Sequence, residues 1–378
     1  MTKPLKIFVD AHCFDESHQG SSTFIRGIYT ILSHQKETDI YLGAFDTKKL
    51  QGEFPDIPDS HFFKYQAKNP LIRIGREIPH ILKKHTFDFA HFQYIAPFFK
   101  PCKFIVTTHD LLFLDYQRDF PWSYTMMRRH LFKRSCQKAD IRTTPSVYSQ
   151  KEINKHYHIP EKDICIIPNG VDECFFDSAI DRTSALHFIE KKYGLRNYVL
   201  YVSRIEPRKN HALLLRLFLE MQLYKSGISL VFIGEESLRV NELQKVKNQI
   251  PEDAVSFFRH LPQVGHKELL WFYKAARFVV YPSRAEGFGI PPLEAAAMKV
   301  PVLCANSTAM AAFNFFGDGR FDPENKDDFY KKFNQMLLGN QDNGRLQNIS
   351  DTIHHEYSWE KSACRLWASM EQNNQMMA

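Results

Sequence analysis

Apolar, β-rich runs alternate with stretches of helical spacing almost from end to end, which restricts this chain to parallel sheets built from βα units. The first half offers strands near Ile7–Asp10, Ile40–Ala44, Phe89–Phe92, Phe104–Thr108, Ile141–Thr144 and Ile164–Ile167. The second half offers Tyr198–Val202, Leu230–Ile233, Val255–Phe258, Phe278–Tyr281 and Val302–Ala305. Helical stretches such as Ala212–Gln222, Lys267–Ala276 and Asp327–Leu338 lie between them. A length of 378 residues exceeds what one core usually fills. Two strand series therefore predict an α/β protein of two doubly wound, Rossmann-like domains. Ligand is expected at the carboxyl ends of the strands, in a cleft between the sheets. The boundary is expected near Asp177–Leu195, beyond the turn Pro168-Asn-Gly-Val-Asp172, and no Ser/Gly linker marks it.

Composition excludes several classes. Hydrophobic content of 44% and charged content of 24% describe an ordinary globular chain. No run approaches the ~20 apolar residues needed to cross a bilayer. The first strand begins within a few residues of Met1 without a signal-peptide pattern, so a cytoplasmic protein is expected. Seven cysteines without a Cys-x-x-Cys pair point to reduced thiols, and the histidines lack metal-ligand spacing. A net charge of +6 is too mild to mark a nucleic-acid binder. Two stretches, Leu71–Lys84 and Tyr124–Arg134, mix basic with bulky apolar residues. They fit either ordinary solvated helices or contact with an anionic membrane surface, through Arg73, Arg76, Lys83, Lys84, Arg128, Arg129, Lys133 and Arg134.

The chemistry concentrates in three loops that follow strands. Tyr281-Pro-Ser-Arg-Ala-Glu-Gly-Phe-Gly-Ile-Pro-Pro-Leu-Glu294 reads strand, glycine loop, helix, with Glu286 in the loop and Glu294 in the opening helical turns. The N–H groups of Phe288, Gly289 and Ile290 lie where a helix start favours a phosphate group. Tyr198-Val-Leu-Tyr-Val-Ser-Arg-Ile-Glu-Pro-Arg-Lys-Asn210 places Arg204 and Lys209 on one βα loop, a forked guanidinium and a mobile ammonium suited to a diphosphate, with Asn210 as cap of the next helix. Phe104-Ile-Val-Thr-Thr-His-Asp-Leu sets His109 just past a strand, and Gly20 opens a helix after the first strand. Gly-x-Gly-x-x-Gly is absent, which weakens an oxidoreductase reading.

These phrases resemble motifs of the retaining glycosyltransferases of family 4 (glycosyl transferases group 1), which have the GT-B fold. Glu286 and Glu294 match the family's Glu-x7-Glu, and Arg204 with Lys209 match its Gly-Arg-x-x-x-x-Lys-Asn, Ser203 standing where glycine is usual. The resemblance implies a nucleoside diphosphate sugar as donor, with Arg204, Lys209 and the N–H groups of Phe288, Gly289 and Ile290 on the diphosphate. Glu294 is implied on the ribose, Glu286 and His109 on the transferred sugar, and Gly20 as a donor contact. It implies no metal and no other cofactor. The fit is strongest from Tyr198 to Pro323 and weakest before Lys100. Family relatives also carry a Ser-Trp before a last helix that crosses to the first domain. Here Ser358-Trp359 opens such a helix, so the expected domains are 1–180 completed by 358–378, and 190–356. The expected activity is transfer of a hexose, mannosyl first, to a glycan or lipid-linked acceptor in cell-surface polysaccharide synthesis. A GT-B protein that binds without turnover and a sugar-nucleotide epimerase are the alternatives.

Overall fold

The computed structural model describes residues 3–15, 20–117, 122–177, 179–339 and 342–375, the side chains of 122–124 excepted. The chain divides into two compact units, one ending at Gly170 and resuming at Tyr357, the other running from Val171 to Glu356.

The first unit is built on a parallel sheet of order β3-β2-β1-β4-β5-β6-β7. Its strands are β1 Leu5–Asp10, β2 Thr38–Ala44, β3 Phe62–Lys64, β4 Phe89–Gln93, β5 Lys103–Thr107, β6 Ile141–Thr144 and β7 Cys165–Ile166. Successive side chains of a strand point to opposite faces. Ile7 and Val9 accordingly join one core with Phe24, Ile28 and Leu32 of helix Gly20–Ser33, while Phe8 joins another with Phe92, Phe104 and Val106. The last helix, Trp359–Gln375, buries Trp359, Ala363, Leu366 and Met370 in the first of these cores. Ser358 accepts a hydrogen bond from the Lys361 N–H at its start. Trp359 needs glycine on both sides. A Cβ on Gly27 would come within 2.0 Å of its ring and one on Gly170 within 2.7 Å.

The second unit carries a parallel sheet of order β10-β9-β8-β11-β12-β13. Its strands are β8 Tyr198–Val202, β9 Ser229–Ile233, β10 Phe258–Leu261, β11 Phe278–Tyr281, β12 Val302–Ala305 and β13 Arg320–Phe321. The segment expected to hold the boundary contains helix Arg182–Tyr193, capped by Asp181. It packs on helix His266–Ala275, where Phe188 stacks on Trp271 at 5.2 Å, which places it in the second unit.

Four local expectations are corrected. Val255, expected in a strand, lies in a 3-10 turn Glu252–Phe257 begun after Pro251, and the strand pairs three residues later, Phe258 opposite Leu230. The helix expected to reach Gln222 stops at Glu220, because Gln222 takes a left-handed conformation with φ 51°. Asn210 sits at the expected cap but is itself left-handed, φ 60°, and makes no side-chain cap bond. The stretch from Leu71 is not one helix: a π-helical turn Arg73–Glu77 interrupts it. None of the seven cysteines, all among the described residues, is in a disulfide.

Candidate functional site

In the second unit the loops after β8 and β11 are laced together. The Arg208 carbonyl accepts from the Arg284 N–H at 2.9 Å, and the Tyr201 hydroxyl donates to the Lys209 carbonyl at 2.7 Å. This fixes the 3-10 turn Pro207–Lys209 beneath the glycine loop. Lys209, 8% exposed, places its ammonium 2.5 Å from Glu286 Oε1 and 3.4 Å from the Tyr281 hydroxyl. Arg208 donates to Glu286 Oε2 at 3.1 Å and to the Ala285 carbonyl at 2.8 Å, and pairs with Glu206 at 2.8 Å. Burial alone would raise the Glu286 carboxyl, but Lys209 and Arg208 outweigh it and hold the group at about 2. Glu286 is therefore an ionised carboxylate clamped by one cation on each oxygen. Its N–H donates to the Thr308 hydroxyl at 2.9 Å.

Arg204 lies farther out. Its side chain is 44% exposed and reaches Glu206 at 3.5 Å. The guanidinium brought onto Glu286 is that of Arg208, which the sequence reading passed over. The motif match singled out Arg204; the tight turn Pro207–Lys209 is what places Arg208 and Lys209 together. Gly289 has φ 99°, and a Cβ there would meet Met310 at 2.8 Å, so glycine is required on both counts. Helix Ile290–Ala297 starts directly after it, with proline in its first turn and Phe288, 8% exposed, preceding the glycine. Glu294, on that helix, accepts from the Tyr273 hydroxyl at 2.9 Å. The structure thus gathers Lys209, Glu286, Phe288, Gly289, Ile290 and Glu294 at the carboxyl ends of β8 and β11. A cavity of about 220 Å³ in the same unit lies elsewhere, below the start of β11 and β12, lined by Arg277, Pro301, Lys332 and Met336 among others.

His109 and Gly20 belong to the first unit. Gly20 is the first residue of its helix, with open space around its Cα. His109 follows β5, donates from Nε2 toward Gln93 Oε1 at 2.6 Å, and has the Phe24 ring edge-on at 5.2 Å. Burial pushes its imidazole down to about 4, so the ring is neutral at pH 7. Among the described residues one group of potential metal ligands gathers, Asp115, Glu152 and His156, also in the first unit. Lys155 occupies it, 2.8 Å from Asp115 and 2.9 Å from Glu152.

The basic stretches are also redistributed. Arg73, expected at the surface, is 6% exposed and lies over the Phe45 and Tyr65 rings at 5.5 and 5.7 Å. Arg134 turns onto the Pro97 and Phe98 carbonyls at 3.2 and 2.9 Å. Arg76, Lys83, Lys84 and Arg129 stay exposed. The exposed large apolar residues of this unit include Leu71, Ile72, Phe98, Phe99, Met126 and Met127. No helix among the described residues is long and apolar enough to cross a membrane.

Comparison with known proteins bears on the family and the fold. Residues 183–351 match the family model of the glycosyl transferases group 1, and residues 32–174 match that of Glycosyltransferase Family 4. The chain is 28% identical over 240 residues to O-antigen chain mannosyltransferase B of Escherichia coli, covering 59% of each. It is 29% identical over 202 residues to the O-antigen chain mannosyltransferase RfbU of Salmonella typhimurium, covering 53% of this chain and 51% of that protein. The matches thus span between half and three fifths of these relatives. Among solved structures, a glycosyltransferase from Rickettsia africae superposes with TM-score 0.73 at 18% identity, covering 99% of both chains. HepE of Anabaena, in complex with UDP and glucose, superposes with TM-score 0.74 at 15% identity, covering 97% of this chain and 100% of that one. Both family models, with a parallel sheet in each unit and the superposed solved structures, assign the chain to the glycosyltransferases of family 4, group 1, with the GT-B fold.

Proposed function

We propose that the protein is a retaining, metal-independent glycosyltransferase that moves a hexosyl group, mannosyl first, from a nucleoside diphosphate sugar to a glycan or lipid-linked acceptor in cell-surface polysaccharide synthesis. The observation that carries this reading is the ionised Glu286 held by Lys209 and Arg208 beside the start of helix Ile290–Ala297. A lysine has three N–H donors. Lys209 spends two on Glu286 and Tyr281, which leaves the third for a phosphate oxygen. Arg204, half exposed, and the helix-start N–H groups add to the same task. The leaving group is a diphosphate, so stabilising its developing charge is the main catalytic requirement.

Glu286 retains lone pairs beyond those taken by its cations, and these accept hydroxyls of the transferred sugar. Glu294 holds the ribose hydroxyls, with Tyr273 orienting its carboxylate. His109, neutral, takes a sugar hydroxyl. As the bond from the anomeric carbon to the phosphate oxygen breaks, the acceptor oxygen bonds to that carbon on the same face. The acceptor's proton passes to the departing phosphate. The mannosyl preference rests on the names of the O-antigen relatives.

A peripheral position on the cytosolic membrane face fits the acceptor side of the reading. Leu71, Ile72, Phe98, Phe99, Met126 and Met127 are exposed in the unit that carries Arg76, Lys83, Lys84 and Arg129. A basic residue near an anionic surface contributes ~1 kcal/mol, so attachment is reversible and salt-sensitive. Cosedimentation with anionic vesicles at low salt, lost at high salt, is expected; equal absence from anionic and neutral pellets would retire the membrane part alone. The transferase reading is tested by a thermal-shift panel of UDP, GDP, ADP and dTDP sugars followed by product analysis. A protein that binds without turnover releases nothing, and an epimerase returns an isomeric sugar nucleotide.

A further inference from the structure

Behind His109 the first unit buries a continuous chain of polar side chains, and the proposed reaction assigns a role only to its outermost member. Gln93 and His91 share a face of β4, two residues apart, and are 6% and 0% exposed. Gln93 lies opposite Thr107 of β5, which lies opposite Thr143 of β6. The contacts run His109 Nε2 to Gln93 Oε1 at 2.6 Å, and Gln93 Nε2 to His91 Nε2 at 3.4 Å. His91 Nε2 also meets the Thr107 hydroxyl at 2.7 Å, and its Nδ1 meets the Tyr29 hydroxyl at 2.6 Å. Thr107 and Thr143 hydroxyls are 2.5 Å apart.

With the Gln93 amide nitrogen facing His91, as it does in the structure, the hydrogens follow from these contacts. The Gln93 amide has only donors on its nitrogen, so His91 Nε2 must be an acceptor, and the Thr107 hydroxyl also donates to it. The His91 hydrogen then sits on Nδ1 and is donated to the Tyr29 oxygen, while Thr143 donates to Thr107. With its nitrogen turned to His91, Gln93 presents only its carbonyl oxygen to His109. That oxygen accepts, so the His109 hydrogen sits on Nε2 and Nδ1 is left with a lone pair. His109 Nδ1 has no hydrogen-bond partner among the described residues. The ring is further held by Phe24 edge-on and by Tyr94 at 5.4 Å, while the Ser149 hydroxyl fixes the His109 carbonyl at 2.9 Å.

We propose that Gln93 is a positioning residue that locks His109 in the Nε2–H tautomer, so that Nδ1 accepts a hydrogen bond from a hydroxyl of the transferred sugar. This rests on the transferase reading above and gives its histidine a definite hydrogen-bonding polarity: an acceptor of hydroxyl donors, and not a donor to the diphosphate. The buried pair His91–Tyr29 serves as the fixed end that keeps the Gln93 amide from turning over.

The test uses the whole protein, labelled with 15N-histidine, and long-range 1H–15N spectra at neutral pH, the His109 signals being those absent from His109→Gln. The expected result is a neutral ring protonated on Nε2. A ring protonated on Nδ1, or on both nitrogens, overturns the proposal without any appeal to activity. In parallel, Gln93→Leu removes the accepting oxygen. The expected result is a mixture of His109 tautomers and a loss of transfer of about fivefold to tenfold, the size of one hydrogen bond. Affinity for the sugar-free nucleoside diphosphate stays unchanged. Full transfer by a folded Gln93→Leu variant, or an unaltered His109 tautomer, also overturns it. Failure of the wild-type protein to transfer from every sugar nucleotide would instead strike the function itself, whatever the tautomer spectra show.

Discussion

Replacing Glu286 by glutamine keeps the shape of the side chain and removes its charge, and the structure sets the size of the effect. The carboxyl is 6% exposed and is held from its ordinary 4.5 down to about 2, with burial opposing and Lys209 and Arg208 prevailing. At 1.36 kcal/mol per pH unit that depression corresponds to about 3 kcal/mol of stability at neutral pH. Removing one partner of a buried pair costs a comparable ~3–5 kcal/mol, because the remaining cation loses its counter-charge. The sign follows from the direction. A carboxyl depressed in the folded state stabilises above its unfolded pKa, and that contribution fades as pH falls from about 4.5 toward 2. Glu286→Gln should therefore be less stable than the parent by about 3 kcal/mol at pH 7, with the gap narrowing below pH 4.5. Trp271 is the one tryptophan between Val171 and Glu356, so urea titration followed by 19F signals of fluorotryptophan isolates the second unit. An unchanged Trp271 midpoint at pH 7, or a gap that persists undiminished at pH 3.5, would refute the clamp.

Three further outcomes follow from the same geometry. Glu294→Gln should weaken nucleoside diphosphate binding in calorimetry while Glu286→Gln leaves it nearly intact and depresses turnover; equal losses would contradict the division of roles. Lys209→Ala should cost about 1.5–3 kcal/mol of nucleoside diphosphate affinity, the range for hydrogen bonds to charged groups, in a variant shown by circular dichroism to be folded. Trp359→Ala should destabilise the first unit by roughly 3–5 kcal/mol, since the ring fills the space between Gly27 and Gly170, and a chemical-denaturation shift under 1 kcal/mol would sink that account.

Strand positions were legible because buried parallel strands are short runs of β-branched and aromatic residues: β6, β8, β11 and β12 have the bounds read from the sequence. Strands β3 and β13, of three and two residues, are too short to show any period. Val255 misled for a related reason. An apolar residue beside Phe257 and Phe258 looks like strand, yet Pro251 starts a 3-10 turn there and leaves Val255 55% exposed. At the site, loop positions and residue types were readable, since glycine, proline and charge punctuate a βα loop. Which side chains meet was not. The motif drew attention to Arg204, and only the Pro207–Lys209 turn directs Arg208 to Glu286. Arg73 looked like a surface charge because the two aromatic rings that cover it come from Phe45 and Tyr65, outside its own helix.

The most direct measurement on the central claim is time-resolved proton NMR of sugar release or transfer from the preferred nucleoside diphosphate sugar with EDTA present throughout. The account predicts nucleoside diphosphate together with a first-formed sugar or glycoside that keeps the donor's anomeric configuration, at a rate unaffected by the chelator. A first-formed product of inverted configuration, or turnover abolished by EDTA and restored by a divalent cation, would contradict it.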